Sequence, residues 1–121
     1  MTAPRSPPSS RTWRTCVRGD VYALRAPRGA KGHEQRGGRF AVVVQSDLLP
    51  LSTWLVAPTS TSARPASFRP EVEVAGKTTR VLAEQTTAVA PERLGDRVGA
   101  LTLSELQAVD AALVTVLGLG R

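Results

Sequence analysis

The sequence predicts a small, mainly β domain that ends in one α-helix. Its 121 residues correspond to about one ordinary domain. Short apolar segments separated by turn residues fill residues 17–85, and helical periodicity begins only after residue 102. Small domains of this kind usually close their sheet into a barrel or half-barrel, with the helix covering an open side. We therefore expect a small β-barrel.

The chain divides into a tail and one domain. Residues 1–15 are mainly Pro, Ser, Arg and Thr, which predicts a flexible basic tail, and residues 16–121 form the single domain. No segment approaches the roughly 18 consecutive apolar residues of a membrane span, and the tail lacks the apolar middle of a secretory signal. We therefore expect a cytoplasmic protein that does not enter the membrane.

Five short segments have the composition and length of strands. The apolar run between Gly37-Gly38 and Ser46-Asp47 indicates a buried strand, whereas the alternation of EVEV is typical of a strand with one wet face. Ala75-Gly76-Lys77 can close a hairpin after EVEV. The predicted strands are residues 17–24, 39–45, 53–58, 71–74 and 79–85, with loops over 25–38 and 60–70.

The C-terminal helix has the clearest local signals. Thr102 and Glu105 have the spacing of a capping box, and Gly118 and Gly120 supply a stop. Apolar residues recur at spacings of three and four, which predicts one buried stripe made of Leu103, Leu106, Val109, Ala112, Leu113, Val116 and Leu117.

Positive charge is concentrated near the N-terminus. Residues 1–40 hold nine cations and two anions, a net charge of +7, whereas the other 81 residues hold seven cations and eight anions, a net charge of −1. Fourteen of the sixteen cations are arginine, whose planar guanidinium can grip two phosphate oxygens at once. This distribution favours a phosphate-bearing partner, although the same charges could simply solvate a surface.

Cysteine and histidine exclude several kinds of site. Cys16 is the only cysteine and His33 the only histidine, so the chain can form neither an internal disulfide nor a zinc site of four Cys and His ligands. A mechanism with two imidazoles is excluded as well. We therefore predict no disulfide and no structural zinc site, and we expect no cofactor.

Two segments concentrate groups that could perform chemistry. Residues 32–39 (GHEQRGGR) form a polar, cationic loop that leads directly into a buried strand. Thr59 to Ser62 follow the next strand, where hydroxyls and backbone N–H groups can face an oxyanion. Each segment alone also fits a structural interpretation, the first as a glycine-rich surface loop and the second as an ordinary Ser/Thr turn.

Read together, these segments resemble the MazF/PemK family of toxin endoribonucleases. The resemblance covers roughly residues 17–119 and keeps all motifs in order; Phe40 departs from it, because the family usually has proline there. The matching motifs are Arg18-Gly19-Asp20-Val21-Tyr22, G-x-E-Q-x-G-x-R at 32–39, AVVVQSD at 41–47, Ala57-Pro58-Thr59-Ser60, a strand ending in Glu84-Gln85, Arg93-Leu94, Gly99 before the last strand, and the terminal helix.

The resemblance implies an SH3-like β-barrel that cleaves single-stranded RNA without a metal, through the ribose 2′-hydroxyl. It implies that Arg39 and Thr59 are the catalytic pair. It also implies a homodimer and an acidic, MazE-like antitoxin as partners, and Trp54, Leu55 and the terminal helix offer apolar surface for the dimer. The expected RNA-binding residues are Arg25, Arg28, Lys31, His33, Glu34, Gln35, Arg36, Ser60, Arg64 and Arg69.

Two other functions stay open at this point. Toxins of the same barrel class inhibit a protein target such as DNA gyrase without cutting RNA, and fold alone does not separate the two. A noncatalytic RNA-binding or peptide-binding barrel could use the same arginines. The presence of Arg39 and Thr59 in their motifs favours the nuclease.

Overall fold

The computed structural model describes residues 15–25 and 39–120. Residues 1–14, nearly all of the predicted basic tail, and most of the predicted loop 25–38 lie outside the described residues. The elements are β1 (Asp20–Leu24), β2 (Phe40–Val43), β3 (Trp54–Ser60), β4 (Glu71–Val74), β5 (Lys77–Val81), a 3₁₀ turn (Ala83–Gln85), β6 (Thr87–Val89), a second 3₁₀ turn (Pro91–Arg93), β7 (Leu94–Ala100) and α1 (Leu103–Leu117).

The strands form one curled antiparallel sheet. Six strands follow the order β4-β5-β3-β2-β1-β7, and β6 pairs with β3 beside this path. The pairing of β1 with β7 shifts register twice, after Val21 and after Tyr22, and such bulges bend a sheet. The prediction of a mainly β, SH3-like small barrel with a C-terminal helix is confirmed.

Strand β3 lies at the centre of this arrangement. On one side it pairs with β2, with Ala41 opposite Pro58. On the other side its first residues pair with β6, whereas its last two pair with β5, as Thr59 with Val81 and Ser60 with Arg80. The polar end of β3 is therefore held between β2 and β5.

Apolar side chains on the two faces of the sheet form separate clusters, because side chains alternate along each strand. The helix-side cluster is packed by Val109 of α1, and the opposite cluster is centred on Trp54. The helix-side cluster contains Val21, Val42, Val44, Ala57, Val72, Val74, Val81 and Val109. The opposite cluster contains Tyr22, Ala41, Val43, Trp54, Val56 and Leu94.

Helix α1 has the predicted ends. Thr102 and Glu105 form the complete capping box, and Gly118 ends the helix with φ of 69°. The Glu105 carboxylate also accepts a hydrogen bond from the N–H of Glu73, which ties the helix to β4. Backbone and capping groups together fix the helix at the open side of the sheet.

The buried stripe of α1 is narrower than the periodicity predicts. Val109 and Ala112 are buried, but Leu103 is 72% exposed and Leu117 is 62% exposed. Leu106, Leu113 and Val116 are half-buried, so the buried surface of the helix is centred on its middle turns.

The structure corrects several predicted boundaries. The strand predicted over 79–85 begins earlier, at Lys77, and ends at Val81; Glu84-Gln85 belong to a 3₁₀ turn in which Gln85 N–H bonds the carbonyl of Leu82. Ser60 belongs to β3 rather than to a loop, because it pairs with β5. Gly99 lies within β7, not before it.

Candidate functional site

Arg39 and Thr59 come from neighbouring strands. The pairing of β2 with β3 ends at Ala41 opposite Pro58. Extended by two residues, the same register would bring Phe40 opposite Thr59 and Arg39 opposite Ser60. The carbonyl of Arg39 accepts a hydrogen bond from Leu24 N–H, so residue 39 continues the pairing of β2 with β1. Arg39 therefore lies one residue from the position facing Thr59.

The environments of these two residues differ. Arg39 is exposed, whereas Thr59 is 2% exposed. By strand alternation Thr59 shares a face with Ala57 and Phe40 on the helix side, and position 39 shares the opposite face with Ala41. The sequence analysis expects the two side chains to meet across one phosphodiester; strand alternation instead directs them to opposite faces of the sheet, with Thr59 buried.

Ser60 shares a face with Arg39. Its hydroxyl oxygen accepts a hydrogen bond from Ser62 N–H at 3.2 Å and lies 3.4 Å from the Ser62 hydroxyl. Because the backbone contact uses Ser60 as an acceptor, its own O–H remains able to donate. Ser60 therefore offers a half-buried hydroxyl donor at the end of β3.

The predicted RNA contact Arg69 is engaged in a cluster with Arg64, Phe68 and Glu84, here called the Arg69–Glu84 cluster. Its Nε and Nη2 donate to Oε2 of Glu84 at 3.0 and 2.7 Å, and Nη1 donates to the carbonyl of Arg64 at 3.2 Å. The guanidinium carbon lies 5.4 Å from the centre of the Phe68 ring. These contacts fix the end of the 61–70 loop against the 3₁₀ turn.

Within this cluster, the Glu84 carboxylate balances the charge of the Arg69 guanidinium. The hydrogen bonds from Arg69 hold the pKa of Glu84 below its usual range, although burial opposes this. Each partner side chain is about one quarter exposed, at 24% for Arg69 and 26% for Glu84. Glu84 therefore stays ionised at neutral pH and neutralises Arg69, a structural role that the sequence did not reveal.

The other predicted RNA-binding residues fall into two groups. Arg25 and Arg64 are exposed, and Arg25 Nε donates to the carbonyl of Leu94 at 3.3 Å. The remaining six lie outside the described residues: Arg28, Lys31, His33, Glu34, Gln35 and Arg36.

Arg80 is a residue that the sequence analysis missed. It pairs directly with Ser60, its side chain is 24% exposed, and its Nη1 donates to the carbonyl of Arg69 at 2.9 Å. Alternation in β5 could have indicated its direction, because Thr79 and Val81 on either side are buried. Its neighbour on β3 could not be predicted, since that pairing joins residues twenty apart.

Residues 15–25 and 39–120 offer neither a cluster of metal ligands nor a membrane-spanning helix. No three Asp, Glu, His or Cys side chains of these residues come together in a way that could hold a metal ion. Among the same residues, no helix is long and apolar enough to cross a membrane.

A family model and a relative match almost the whole domain. The model described as PemK-like, MazF-like toxin of type II toxin-antitoxin system matches residues 17–117. A Mycobacterium tuberculosis H37Rv protein named "Putative toxin Rv3098A/RVBD_3098A" is 43% identical over 104 residues, which cover 85% of this chain and 98% of that protein.

Solved structures share the fold at lower sequence identity. An endoribonuclease in complex with its cognate antitoxin, from a mycobacterial species, superposes with a TM-score of 0.72 at 20% identity, covering 87% of this chain and 97% of that one. The Mycobacterium tuberculosis toxin MazF-mt6 gives 0.68 at 17%, covering 84% and 99%. A MazE-MazF structure from Deinococcus radiodurans gives 0.68 at 20%, covering 88% and 100%.

Proposed function

Because the chain belongs to the PemK-like, MazF-like toxin family of type II toxin-antitoxin systems, we propose that it is a sequence-specific endoribonuclease. The proposed substrate is single-stranded RNA, and messenger RNA is the class that we propose. The observation that carries the proposal is the exposed Arg39 at the entry of β2, in the family's motif and beside the polar end of β3.

Cleavage by the neighbouring ribose 2′-hydroxyl suits a site of this composition. The substrate supplies the nucleophile, so the protein must hold the phosphodiester in line, assist proton transfer and stabilise negative charge on the pentacoordinate phosphorus. A guanidinium supplies charge and two parallel N–H donors to phosphate oxygens. This chemistry uses neither a metal ion nor a cofactor.

Arg39 is the main oxyanion donor in this proposal. Its exposure lets RNA reach it, and a guanidinium stays protonated at any physiological pH. It therefore acts by electrostatic stabilisation rather than as a general base. Thr59 is the proposed second donor because of its place in the family's motif. It is 2% exposed and lies on the face opposite Arg39, so it can reach the same phosphate only if the end of β3 rearranges when RNA binds.

Exposed arginines provide contacts to the rest of the RNA backbone. Arg25 and Arg64 belong to this set, and neither forms an ion pair with a carboxylate among residues 15–25 and 39–120. Arg69 remains in the proposed set, but its pairing with Glu84 means that its main effect is on the loop. Binding should weaken with salt, because each neutralised phosphate releases counterions.

The proposed protein partners follow from charge and exposed apolar surface. An acidic antitoxin segment can occupy the basic RNA site by presenting carboxylates in place of phosphates. Leu55, Val114 and Leu117 are exposed by 41%, 44% and 62%, and we propose that a homodimer covers them. Trp54, which the sequence suggested for this surface, is 4% exposed and packs edge-on against Tyr22 instead. Toxin, antitoxin and RNA would meet in the cytoplasm.

The direct test is incubation of the purified chain with a mixed pool of labelled RNA in the presence of EDTA. We expect cuts at one short sequence, with EDTA leaving the rate unchanged. A parallel supercoiling assay with DNA gyrase examines the alternative function. Inhibition of gyrase together with intact RNA would replace the nuclease by a toxin against a protein target.

A further inference from the structure

Three polar side chains lie in one row across three adjacent strands. Arg80 of β5 pairs with Ser60 of β3 on one side and with Glu71 of β4 on the other. The register of β3 with β2, extended two residues past its last pair, would bring Arg39 opposite Ser60. Residues directly opposite each other on antiparallel strands share a face. Arg39, Ser60 and Arg80 therefore form a line of guanidinium, hydroxyl and guanidinium, here called the phosphate row.

Arg80 keeps donors available for a ligand. Its Nη1 donates to the carbonyl of Arg69, and its Nη2 lies 4.0 Å from the carboxylate of Glu71, too far for a hydrogen bond. The Glu71 side chain is 58% exposed, so water screens that attraction. A guanidinium has five N–H groups, and one hydrogen bond fixes its position without using its charge.

Arg69 is the contrasting case in the same part of the molecule. Its guanidinium donates twice to Glu84 and once to the carbonyl of Arg64, so most of its donors are committed. Its carbonyl, in turn, holds Arg80. Arg69 thus orients the loop and Arg80, while the guanidinium of Arg80 makes no hydrogen bond to its nearest described carboxylate, that of Glu71 at 4.0 Å.

We propose that the phosphate row binds two successive phosphates of single-stranded RNA, with Arg80 holding the phosphate next to the one held by Arg39. Ser60 donates its hydroxyl between them. Neighbouring strands are about 4.7 to 4.9 Å apart, so the backbones of β2 and β5 are separated by roughly 9 to 10 Å. The side chains of Arg39 and Arg80 are long enough to span this separation and contact the same segment of RNA. This inference rests on the proposed function and adds Arg80 as a binding residue.

The test compares Arg80→Gln with Lys77→Gln, which removes the same charge from the same strand outside the row. The probe is a 2′-O-methyl oligonucleotide of mixed sequence, which can bind but has no free 2′-hydroxyl to attack the phosphate. We expect Arg80→Gln to weaken binding about tenfold. The slope of log K against log salt, which is negative, should become shallower by about 0.7, because one phosphate contact is lost. Lys77→Gln should keep the wild-type slope.

Kinetics on the natural oligonucleotide give a second reading. Arg80→Gln should raise KM with kcat unchanged, because it contacts a phosphate that does not react. A wild-type slope in Arg80→Gln, or an equal reduction in both variants, would overturn the phosphate row. If the wild type binds the probe but does not cut natural RNA, the nuclease proposal fails while the slopes still decide the row.

Discussion

Two groups of arginines lie next to each other at the polar end of β3, and they use their charge in opposite ways. In the Arg69–Glu84 cluster the guanidinium is paired with a carboxylate and an aromatic ring. In the phosphate row, Arg39 is exposed, and Arg80 faces the exposed Glu71 carboxylate at 4.0 Å without a hydrogen bond to it. The difference separates an arginine whose charge is neutralised within the fold, Arg69, from two that we propose to bind a polyanion, Arg39 and Arg80.

Substitution of Arg39 should have the largest effect on activity. We expect Arg39→Ala to slow cleavage by about 10² to 10³, or about 2.7 to 4 kcal/mol, because a main oxyanion donor is lost. Arg39→Lys should recover only part of this, since the planar fork is lost. Single-turnover rates and thermal unfolding would be measured together, and cleavage by Arg39→Ala at the wild-type rate would remove Arg39 from the mechanism.

Substitution of Thr59 and substitution of Ser60, the two hydroxyl residues at the end of β3, should change different kinetic constants. We expect Thr59→Val to lower kcat by roughly 10-fold or more, because a donor to the reacting phosphate is lost while the side-chain shape is kept. Ser60→Ala should mainly raise KM, by about two- to fivefold. A larger loss of kcat in Ser60→Ala would assign the second donor to the Arg39 face instead.

The Arg69–Glu84 cluster should behave as a structural element. We expect Arg69→Gln to lower the free energy of unfolding by about 1 to 2 kcal/mol, because a partly buried carboxylate loses its partner. The kcat of cleavage should stay close to wild type at a temperature where the variant is folded. Urea unfolding measures the first quantity, and a large loss of kcat at unchanged stability would place Arg69 in the site.

Acid should weaken the same cluster. The pKa of Glu84 in the folded protein lies below its unfolded value of about 4.3, so the ion pair contributes stability above that value and loses it as pH falls through the folded pKa. We expect the difference in unfolding free energy between wild type and Glu84→Gln to be constant above about pH 5 and to shrink below about pH 4. A constant difference down to pH 2 would argue against the ion pair.

The hairpin that carries Arg80 offers a small change outside both groups. Ala75 and Gly76 have φ of 52° and 79°, and a two-residue turn with both values positive favours Asn-Gly over Ala-Gly. We expect Ala75→Asn to raise the free energy of unfolding by roughly 0.5 to 1 kcal/mol, with cleavage unchanged. No gain in stability would mean that the turn costs little in the wild type.

Local chemistry made part of this molecule predictable from sequence. The capping box at Thr102 and Glu105, the glycine stop at Gly118 and the EVEV strand depend on nearby residues, and the structure has them as predicted. The predicted end of β5 was wrong, because β5 ends at Val81 and a 3₁₀ turn that contains Glu84 follows it. Where a strand ends depends on contacts between residues that are far apart in the sequence, and hydrophobic periodicity does not predict those contacts.

The candidate site likewise has features that local motifs predict and features that depend on contacts between distant residues. The motifs around Arg39 and Thr59 indicate which residues matter, because a family resemblance is carried by sequence alone. The burial of Thr59, the capture of Arg69 by Glu84 and the position of Arg80 beside Ser60 depend on the register of β2, β3 and β5. Strand pairing over long separations sets that register, so these features become visible only in the structure.

The central claim is that the RNA supplies its own nucleophile and that the protein supplies charge at the entry of β2. The most direct test is one oligonucleotide, made twice, with ribose or with a single 2′-deoxyribose at the cut position. We expect the ribose form to yield a 2′,3′-cyclic phosphate end and the deoxy form to stay intact while binding equally well. Cleavage of the deoxy form at the same bond would contradict the account.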